Sequence, residues 1–268
     1  MYSTSVSKPF TAIVMAADRG PDDPVSRAAG VSCKALTPVG GLPMVLRVLH
    51  ALEQSPAVGS RLLSGPPWPL VEQAAELKAG IDAGDYGWTA SLDSPSASAG
   101  ATLEQIPDSQ PVLLTTADHA LLNSQIVDFF CAQARTSDFD LLVGLVSHEL
   151  VLEAYPGVHR TRLRFSDSDY CTCNLFALMT PQSRTIATFW RKLEAQRKRP
   201  WRMLTTLGWW SVLKYLLGHL SLQEALARIS GKLGMKIGVV MLPFADAAVD
   251  VDTEKDWLLV RQILAEKE

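Results

Sequence analysis

Residues 11–17 of the chain, TAIVMAA, contain a continuous apolar run, Ala12 to Ala17, that ends in two alanines before Asp18. A run of this length without polar alternation is typical of a strand buried on both faces of a sheet. Similar runs recur along the chain: RLLSG (61–65), PVLLTTAD (111–118), DLLVGLVS (140–147), CNLFALM (173–179) and KIGVVMLP (236–243). The first run therefore predicts the first of several buried strands.

Helical patterns separate these runs. LPMVLRVLHALEQS (42–55) places its apolar residues at about 3.6-residue spacing, and NSQIVDFFCAQA (123–134) does the same behind Asn123, a good helix N-cap. Thr253 with Asp256 forms the Ser/Thr-x-x-Asp/Glu pattern of a further helix start. Strands that alternate with helices predict a three-layer α/β/α fold with a mostly parallel, Rossmann-like sheet.

The composition is that of one ordinary folded domain, with 268 residues, 47% of them hydrophobic, and a formal net charge of −3. Such a balance gives no general attraction for phosphate backbones, so nucleic acid is not an expected partner. The N-terminus MYSTSVSKPF lacks the apolar stretch of a secretory signal, and the four cysteines are scattered. We therefore expect a cytoplasmic protein with reduced cysteines; a zinc site at Cys171 and Cys173 is the alternative.

The candidates for chemistry follow the strands, because ligands of an open parallel sheet bind outside the carboxyl ends of its strands. The first strand is followed by a long loop, 18–41, that contains glycines and basic residues. Asp118 and His119 follow the middle strand, and Asp250 and Asp252 precede the last helix. We expect these side chains at one edge of the sheet.

The order of KALTPVGGLPM (34–44), TTAD (115–118) and VDVDTEKD (249–256) resembles that in the MobA-like NTP transferases, which are nucleotidyltransferases of the GT-A type. The resemblance extends from about 11 to 264, apart from a helical insertion at about 183–233 within a single domain, 1–268. It implies that an acceptor phosphate attacks the α-phosphorus of an NTP, CTP or GTP being favoured, and releases pyrophosphate. This step needs positive charge on the triphosphate and in-line positioning.

The resemblance also implies site residues. Lys34 and Asp118 would be catalytic, Lys34 by neutralising phosphate charge and Asp118 by binding Mg²⁺ together with Asp252 or Asp250. Asp252 is alternatively a helix N-cap beside Thr253, and the two roles are compatible. The nucleotide-binding candidates are Ala16, Ala17, Asp18, Arg19, Gly20, Arg27, Lys34, Ser94, Ser96 and Ser98.

Two segments carry the remaining candidates for substrate contacts. The serine-rich segment 91–100 precedes a short helix and suits either nucleotide contact or a plain flexible turn. In HRTRLRF (159–165), Arg160, Arg162 and Arg164 alternate, as side chains on one face of a strand would. They are candidates for the acceptor phosphate, with an exposed edge strand as the alternative. The acceptor-binding set is Arg162, Arg164 and Asn174.

His119 is not expected to be a general base, because a phosphate acceptor is already ionised at neutral pH. A structural or substrate-contact role is predicted instead.

The predicted insertion joins a basic segment, 191–202, to an apolar, tryptophan-containing segment, 203–220. Lys214 and His219 interrupt the apolar run, so a transmembrane helix is not predicted. One interpretation is an interfacial helix with weak contact to anionic membranes. The alternative is a helical subdomain whose apolar face packs on the core or forms a homodimer contact.

The loop MAADRGPDD (15–23) departs from the family pattern L-A-A-G-x-G-x-R-M, because Asp18 stands at a glycine position. We predict that Asp18 caps local backbone amides or contacts metal-bound water, while Arg27 and Lys34 return to the phosphates. The departure leaves a non-catalytic nucleotide-binding protein as one alternative. A nucleotide-sugar-dependent glycosyltransferase on the same fold is the other, although its Asp-x-Asp motif would follow the central strand.

Overall fold

The computed structural model describes residues 8–17, 22–156, 158, 160–196 and 218–267. The strands are β1 Phe10–Met15, β2 Pro38–Val39, β3 Leu42–Pro43, β4 Val58–Ser64, β5 Gly87–Thr89, β6 Val112–Thr116, β7 Leu141–Ser147, β8 Leu163–Arg164, β9 Asp169–Leu178 and β10 Ile237–Met241. The helices are α1 Pro24–Ala29, α2 Met44–Glu53, α3 Trp68–Gln73, α4 Ala75–Ala83, α5 Pro95–Leu103, α6 Ser124–Thr136, α7 His148–Ala154, α8 Ile186–Gln196, α9 Leu222–Leu233 and α10 Glu254–Lys267.

The central sheet has the strand order β10-β7-β9-β6-β1-β4-β5, and β8 pairs with β9. The pairs β1–β4, β1–β6, β4–β5 and β7–β10 are parallel. Strand β9 runs antiparallel to β6, β7 and β8. The prediction of an α/β fold with a mostly parallel sheet is therefore confirmed, with one long antiparallel strand inserted between parallel ones.

Helices cover both faces of the sheet, as the packing around β1 shows. Ala12 and Val14 point to one face, into a core shared with α2 and α6, whereas Ile13 points to the other face, towards α5 and α8. All three are fully buried. Because both faces are dry, β1 is apolar from Ala12 to Met15, which explains the continuous apolar run in the sequence. The hydroxyl of Thr11, at the start of the strand, is paired with Ser60 Oγ at 2.9 Å.

The strand order reverses beside β1. The chain continues from β1 to β4 and β5 on one side and then crosses to β6 on the other. Met15 is aligned with Thr116, and the Ala117 amide donates to the Met15 carbonyl at 2.9 Å. The residues that follow β1 and β6 therefore lie side by side, where open α/β sheets bind their ligands.

The prediction of a long loop after the first strand is wrong, because most of the described residues in this segment form regular elements. Residues 22–43 form α1, a 3₁₀ turn at Lys34–Leu36 and the hairpin β2–β3. Buried Asp23 caps α1, because its Oδ1 accepts from the amides of Val25 at 3.0 Å and Ser26 at 3.1 Å. These elements are too short to show periodicity in the sequence.

The hairpin β2–β3 turns on two glycines. Gly40 and Gly41 have φ values of 53° and 75°, which L side chains rarely adopt. The "GG" of the KALTPVGGLPM motif is thus explained by a tight turn.

The predicted insertion is helical in its described parts. These are a 3₁₀ turn at Pro181–Thr185, followed by α8 and α9. Residues 197–217, with most of the basic and tryptophan-containing cluster, lie outside the described residues. Within the described ranges, no helix is long and apolar enough to span a membrane. The bounds of the insertion, and its place within one domain, stay predictions.

Candidate active site

Three charged side chains from distant parts of the chain meet where the strand order reverses. Lys34 Nζ donates to Asp118 Oδ2 at 2.7 Å and to Asp252 Oδ1 at 2.8 Å. The side chain of Lys34 is 8% exposed, that of Asp118 20% and that of Asp252 47%. The structure thus brings together three of the predicted site residues, with one cation between two carboxylates.

Local structure places each member of this cluster. Lys34 opens the 3₁₀ turn that follows α1, and Asp118 follows the carboxyl end of β6. Thr116 Oγ1 donates to Asp118 Oδ1 at 2.6 Å, so both oxygens of that carboxylate are held. The Val251 amide donates to the Asp118 carbonyl at 3.0 Å, which joins the loop before α10 to the end of β6.

The charge of Lys34 is stabilised by its partners. Burial alone would lower the pKa of the ammonium group, but the charges and hydrogen bonds of Asp118 and Asp252 outweigh it. The pKa is therefore raised above the usual 10.5. Lys34 remains a cation at every physiological pH.

Asp250, the other metal candidate, faces a different set of partners. Arg160 Nη1 binds Asp250 Oδ1, Arg160 Nη2 donates to the Asp250 carbonyl at 2.6 Å, and Asn174 Nδ2 donates to Oδ2 at 3.0 Å. Burial raises the pKa of Asp250, and Asp118 and Asp252 add to this effect against the opposing charge of Arg160. Between the two candidates, Asp252 is the one that shares Lys34 with Asp118.

The predicted acceptor-binding residues do not form one arginine-lined strand face. Only Leu163–Arg164 is a strand, and the Arg160 side chain turns to Asp250. Arg162 pairs with Asp169 at 3.3 Å, and Arg164 is exposed. Asn174 has a φ of 46°, an unusual conformation that asparagine tolerates better than most residues.

The serine-rich segment forms the start of α5. Ser94 is the N-cap, and its Oγ accepts from the Ala97 amide at 3.2 Å. Ser98 Oγ accepts from the Leu92 amide at 2.8 Å and donates to the Ser94 carbonyl at 3.0 Å. A short helix is present, but it begins at Pro95, inside the segment that was predicted to precede it, and two of the three serines stabilise its first turn.

Ser96, the third serine, binds a residue that the sequence did not single out. Its amide donates to Glu194 Oε1 of α8 at 3.3 Å, and its hydroxyl donates to Glu194 Oε2. The segment borders the end of β1, since a Cβ added to Gly65 would lie 2.8 Å from the Ala16 carbonyl and 3.3 Å from Ser91 Cβ. A carboxylate thus occupies donors beside the predicted nucleotide site.

The other predicted nucleotide-binding residues are only partly described. Ala16 is buried and Ala17 half-buried after β1, whereas Asp18, Arg19 and Gly20 lie outside the described residues. Arg27 is exposed on α1 and has no hydrogen bond or ion pair to Lys34 or Asp118.

His119 is fully enclosed beside Asp118. Neither ring nitrogen makes a hydrogen bond of regular geometry to a described residue. Burial outweighs the charge of Asp118 and the backbone of Ala247 and lowers the pKa of His119 to about 4. The ring is therefore neutral at physiological pH.

The donor set at the cluster fits a magnesium ion better than a zinc ion. Among the described residues, no three His, Cys, Asp or Glu side chains converge as a complete metal cage. All four cysteines are buried thiols that form no disulfide. Asp118 and Asp252 instead flank the position of the Lys34 ammonium group. Mg²⁺ commonly takes one or two carboxylates and completes its shell with substrate phosphates and water.

Comparisons with known proteins agree with this geometry. The family model of the MobA-like NTP transferase domain matches residues 12–236. Among curated proteins, no relative matches the chain. A hypothetical transferase structure from Thermus thermophilus is 29% identical, with a TM-score of 0.77, and the match covers 93% of this chain and 99% of that one.

Two more distant structures share the fold. CMP:2-keto-3-deoxy-manno-octonic acid synthetase complexed with CTP is 13% identical, with a TM-score of 0.58, over 98% of this chain and 100% of that one. The 4-diphosphocytidyl-2C-methyl-D-erythritol synthase from Anaerococcus prevotii is 12% identical, with a TM-score of 0.59, over 96% of both chains. Since the family match spans most of its length, the chain belongs to the MobA-like NTP transferases, a family of nucleotidyltransferase enzymes.

Proposed function

We propose that the protein is a Mg²⁺-dependent enzyme that transfers an NMP group from an NTP to a phosphorylated small molecule and releases pyrophosphate. The observation that carries this proposal is the cluster of Lys34, Asp118 and Asp252 beside the reversal in strand order. CTP and GTP are the favoured nucleotides. The names of the two more distant structures each contain a cytidine compound, so CTP is the first nucleotide to test.

The residues of the chain would divide the work as follows. Lys34 would neutralise phosphate charge, and Asp118 and Asp252 would hold Mg²⁺, which when bound would withdraw charge from the triphosphate. An oxygen of the acceptor phosphate forms a bond to the α-phosphorus, and the bond from the α-phosphorus to the bridging oxygen breaks. Pyrophosphate leaves with that electron pair. No proton needs to be removed from the acceptor, which agrees with the neutral, enclosed His119.

The acceptor would bind on the β8–β9 side of the site. Arg162 and Arg164 are candidates for its phosphate, because guanidinium groups bind phosphate oxygens through paired hydrogen bonds. Asn174 lies on β9, the strand that pairs with β8, and its Nδ2 donates to Asp250 Oδ2 at 3.0 Å. These assignments rest on position and chemistry.

The geometry favours this proposal over a glycosyltransferase. The two carboxylates that share Lys34 come from different segments, the end of β6 and the loop before α10, and not from one Asp-x-Asp pair after the central strand. The chain does contain Asp250-Val251-Asp252, but the first of these carboxylates is bound to Arg160 and Asn174.

The test is a screen for pyrophosphate release with four NTPs and a panel of phosphorylated sugars, alcohols and cofactor precursors, with Mg²⁺. We expect release from at least one NTP–acceptor pair, and none when the acceptor is omitted or the metal is chelated. Turnover of a nucleotide-sugar without pyrophosphate would instead favour the glycosyltransferase. Tight NTP binding in calorimetry with no turnover would favour the non-catalytic alternative.

Glu194→Ala is expected to raise the affinity for the NTP by about tenfold, the effect of roughly 1.4 kcal/mol, if Ser96 contacts the nucleotide. The substitution removes the carboxylate that occupies the Ser96 amide and hydroxyl. Titration calorimetry measures the affinity. The control is Glu104→Ala, which removes a carboxylate at the opposite end of α5. Weaker binding by Glu194→Ala alone would mean that Glu194 supports the nucleotide site.

We also propose a cytoplasmic location, which the four buried cysteines without a disulfide support. Weak membrane contact and homodimerisation through the insertion remain proposals.

A further inference from the structure

Arg160 lies in the segment between α7 and β8, and its guanidinium group holds the loop that carries Asp252. Its side chain is only 8% exposed. Besides its contacts to the carboxylate and carbonyl of Asp250, Arg160 Nη2 lies 3.5 Å from Asp256 Oδ1. The Arg160 guanidinium group therefore contacts one acidic residue before Asp252 in the sequence and one after it.

Each of these acidic residues fixes the loop in turn. Asp256 Oδ2 accepts from the Asp252 amide at 3.2 Å and from the Thr253 amide and hydroxyl, both at 2.8 Å. Thr253 Oγ1 accepts from the Asp256 amide at 3.3 Å, which completes the predicted capping box. Asp250 is held on its other side by Asn174. The backbone of Asp252 is thus anchored two residues before and four residues after it.

The charge balance at this position depends on Arg160. Asp118, Asp250 and Asp252 lie near enough for their charges to influence one another. Lys34 forms ion pairs with Asp118 and Asp252, whereas Arg160 forms ion pairs with Asp250 and Asp256. Without Arg160, the half-buried Asp250 carboxylate would lose its cation, and removal of one partner of an ion pair that is largely withdrawn from water is destabilising. The loop would then be expected to move.

We propose that Arg160 is a positioning residue for Asp252. It acts through Asp250 and Asp256 to place the Asp252 carboxylate opposite Asp118, and it does not receive the acceptor phosphate. The proposal rests on the proposed function in one respect, that Asp252 binds the divalent cation. It links a segment on the acceptor side of the site to the cation-binding loop.

The first test is independent of metal and substrate. Amide hydrogen exchange at residues 251–253 is measured for the wild-type protein, Arg160→Gln and Arg184→Gln. Arg184 is the matched control, because its buried guanidinium donates to four backbone carbonyls away from the site, those of Leu103, Ile106, Pro107 and Gln110. We expect at least tenfold faster exchange at 251–253 in Arg160→Gln relative to Arg184→Gln. Equal exchange in the two variants would overturn the proposal.

The second test uses Mn²⁺ as the probe, by electron paramagnetic resonance, and compares kinetics. Loss of a residue that orients a metal ligand commonly weakens metal affinity about 10- to 100-fold. We expect Arg160→Gln to weaken Mn²⁺ binding by this factor and lower kcat, with Arg160→Lys intermediate because lysine keeps the charge without the planar fork. A higher KM for the acceptor with unchanged Mn²⁺ affinity would overturn the proposal.

These measurements separate the two proposals. A wild-type protein that bound no Mn²⁺, with or without NTP, would contradict the proposed metal-dependent function, while the hydrogen exchange would still decide the role of Arg160. If Arg160→Gln does not fold, Arg160→Lys is compared with Arg184→Lys in the same assays, with the same expected direction.

Discussion

Asp118→Asn is expected to lower the rate of pyrophosphate release by about 10²- to 10³-fold, because removal of one key charge-stabilising group at an active site costs this much. Asparagine keeps the shape of the side chain and still accepts from Thr116, but it lacks the charge that would hold Mg²⁺ opposite Asp252. The rate is measured with saturating substrates. Thermal unfolding checks that the fold is intact.

The matched control for this prediction is Asp140→Asn. Asp140 also accepts from a threonine hydroxyl, that of Thr180 at 2.8 Å, and from the Lys236 amide at 2.7 Å. It precedes β7 and therefore lies at the opposite edge of the sheet from Asp118. We expect full activity at saturating substrate. If Asp118→Asn left pyrophosphate release intact for every active NTP–acceptor pair, the proposed metal site would be wrong.

Lys34→Met is expected to have two opposite effects. Transfer should fall by about 10²-fold or more, because the triphosphate loses a fixed cation. Affinity for Mn²⁺ in the absence of nucleotide should rise, because the ammonium group no longer occupies the space between Asp118 and Asp252. Methionine keeps the apolar stem of this buried side chain. Rates and electron paramagnetic resonance titrations measure the two effects.

Stability gives an independent check on Lys34→Met. Without the ammonium group, two carboxylates face each other with less compensation, so we expect a lower melting temperature that Mg²⁺ partly restores. Lys236→Met is the control, since that lysine pairs with Asp138 at 3.0 Å in an exposed position. Weaker Mn²⁺ binding by Lys34→Met would show that Lys34 supports the cation site and does not compete for it.

The local patterns of the sequence predicted most of the sheet. The six apolar runs became β1, β4, β6, β7, β9 and β10, because strands buried on both faces leave a continuous apolar record. The antiparallel direction of β9 could not be predicted from this pattern, because strand direction depends on how the chain enters the sheet and does not change which residues are apolar. The short strands β2, β3 and β5 were missed, because two or three residues are too few to show a pattern. Strand β8 lies within the arginine segment whose alternation suggested a strand.

The site was predicted in part. Lys34, Asp118 and Asp252 were identified by the order of the motifs, and the structure places them in contact. Glu194 was not identified as a partner of Ser96, and Arg160 was considered only for the acceptor phosphate. Their partners lie 98 and 90 residues away along the chain. Such contacts leave no local signal.

The sequence by itself determined the fold class, the family and the residues at the strand ends, because burial periodicity and motif order are local properties of the chain. Only the tertiary structure shows how the surroundings of Asp250 and Asp252 differ. The two carboxylates are two residues apart and chemically identical, and they differ only in what packs against them. Arg160 and Asn174 bind the first, whereas Lys34 joins the second to Asp118.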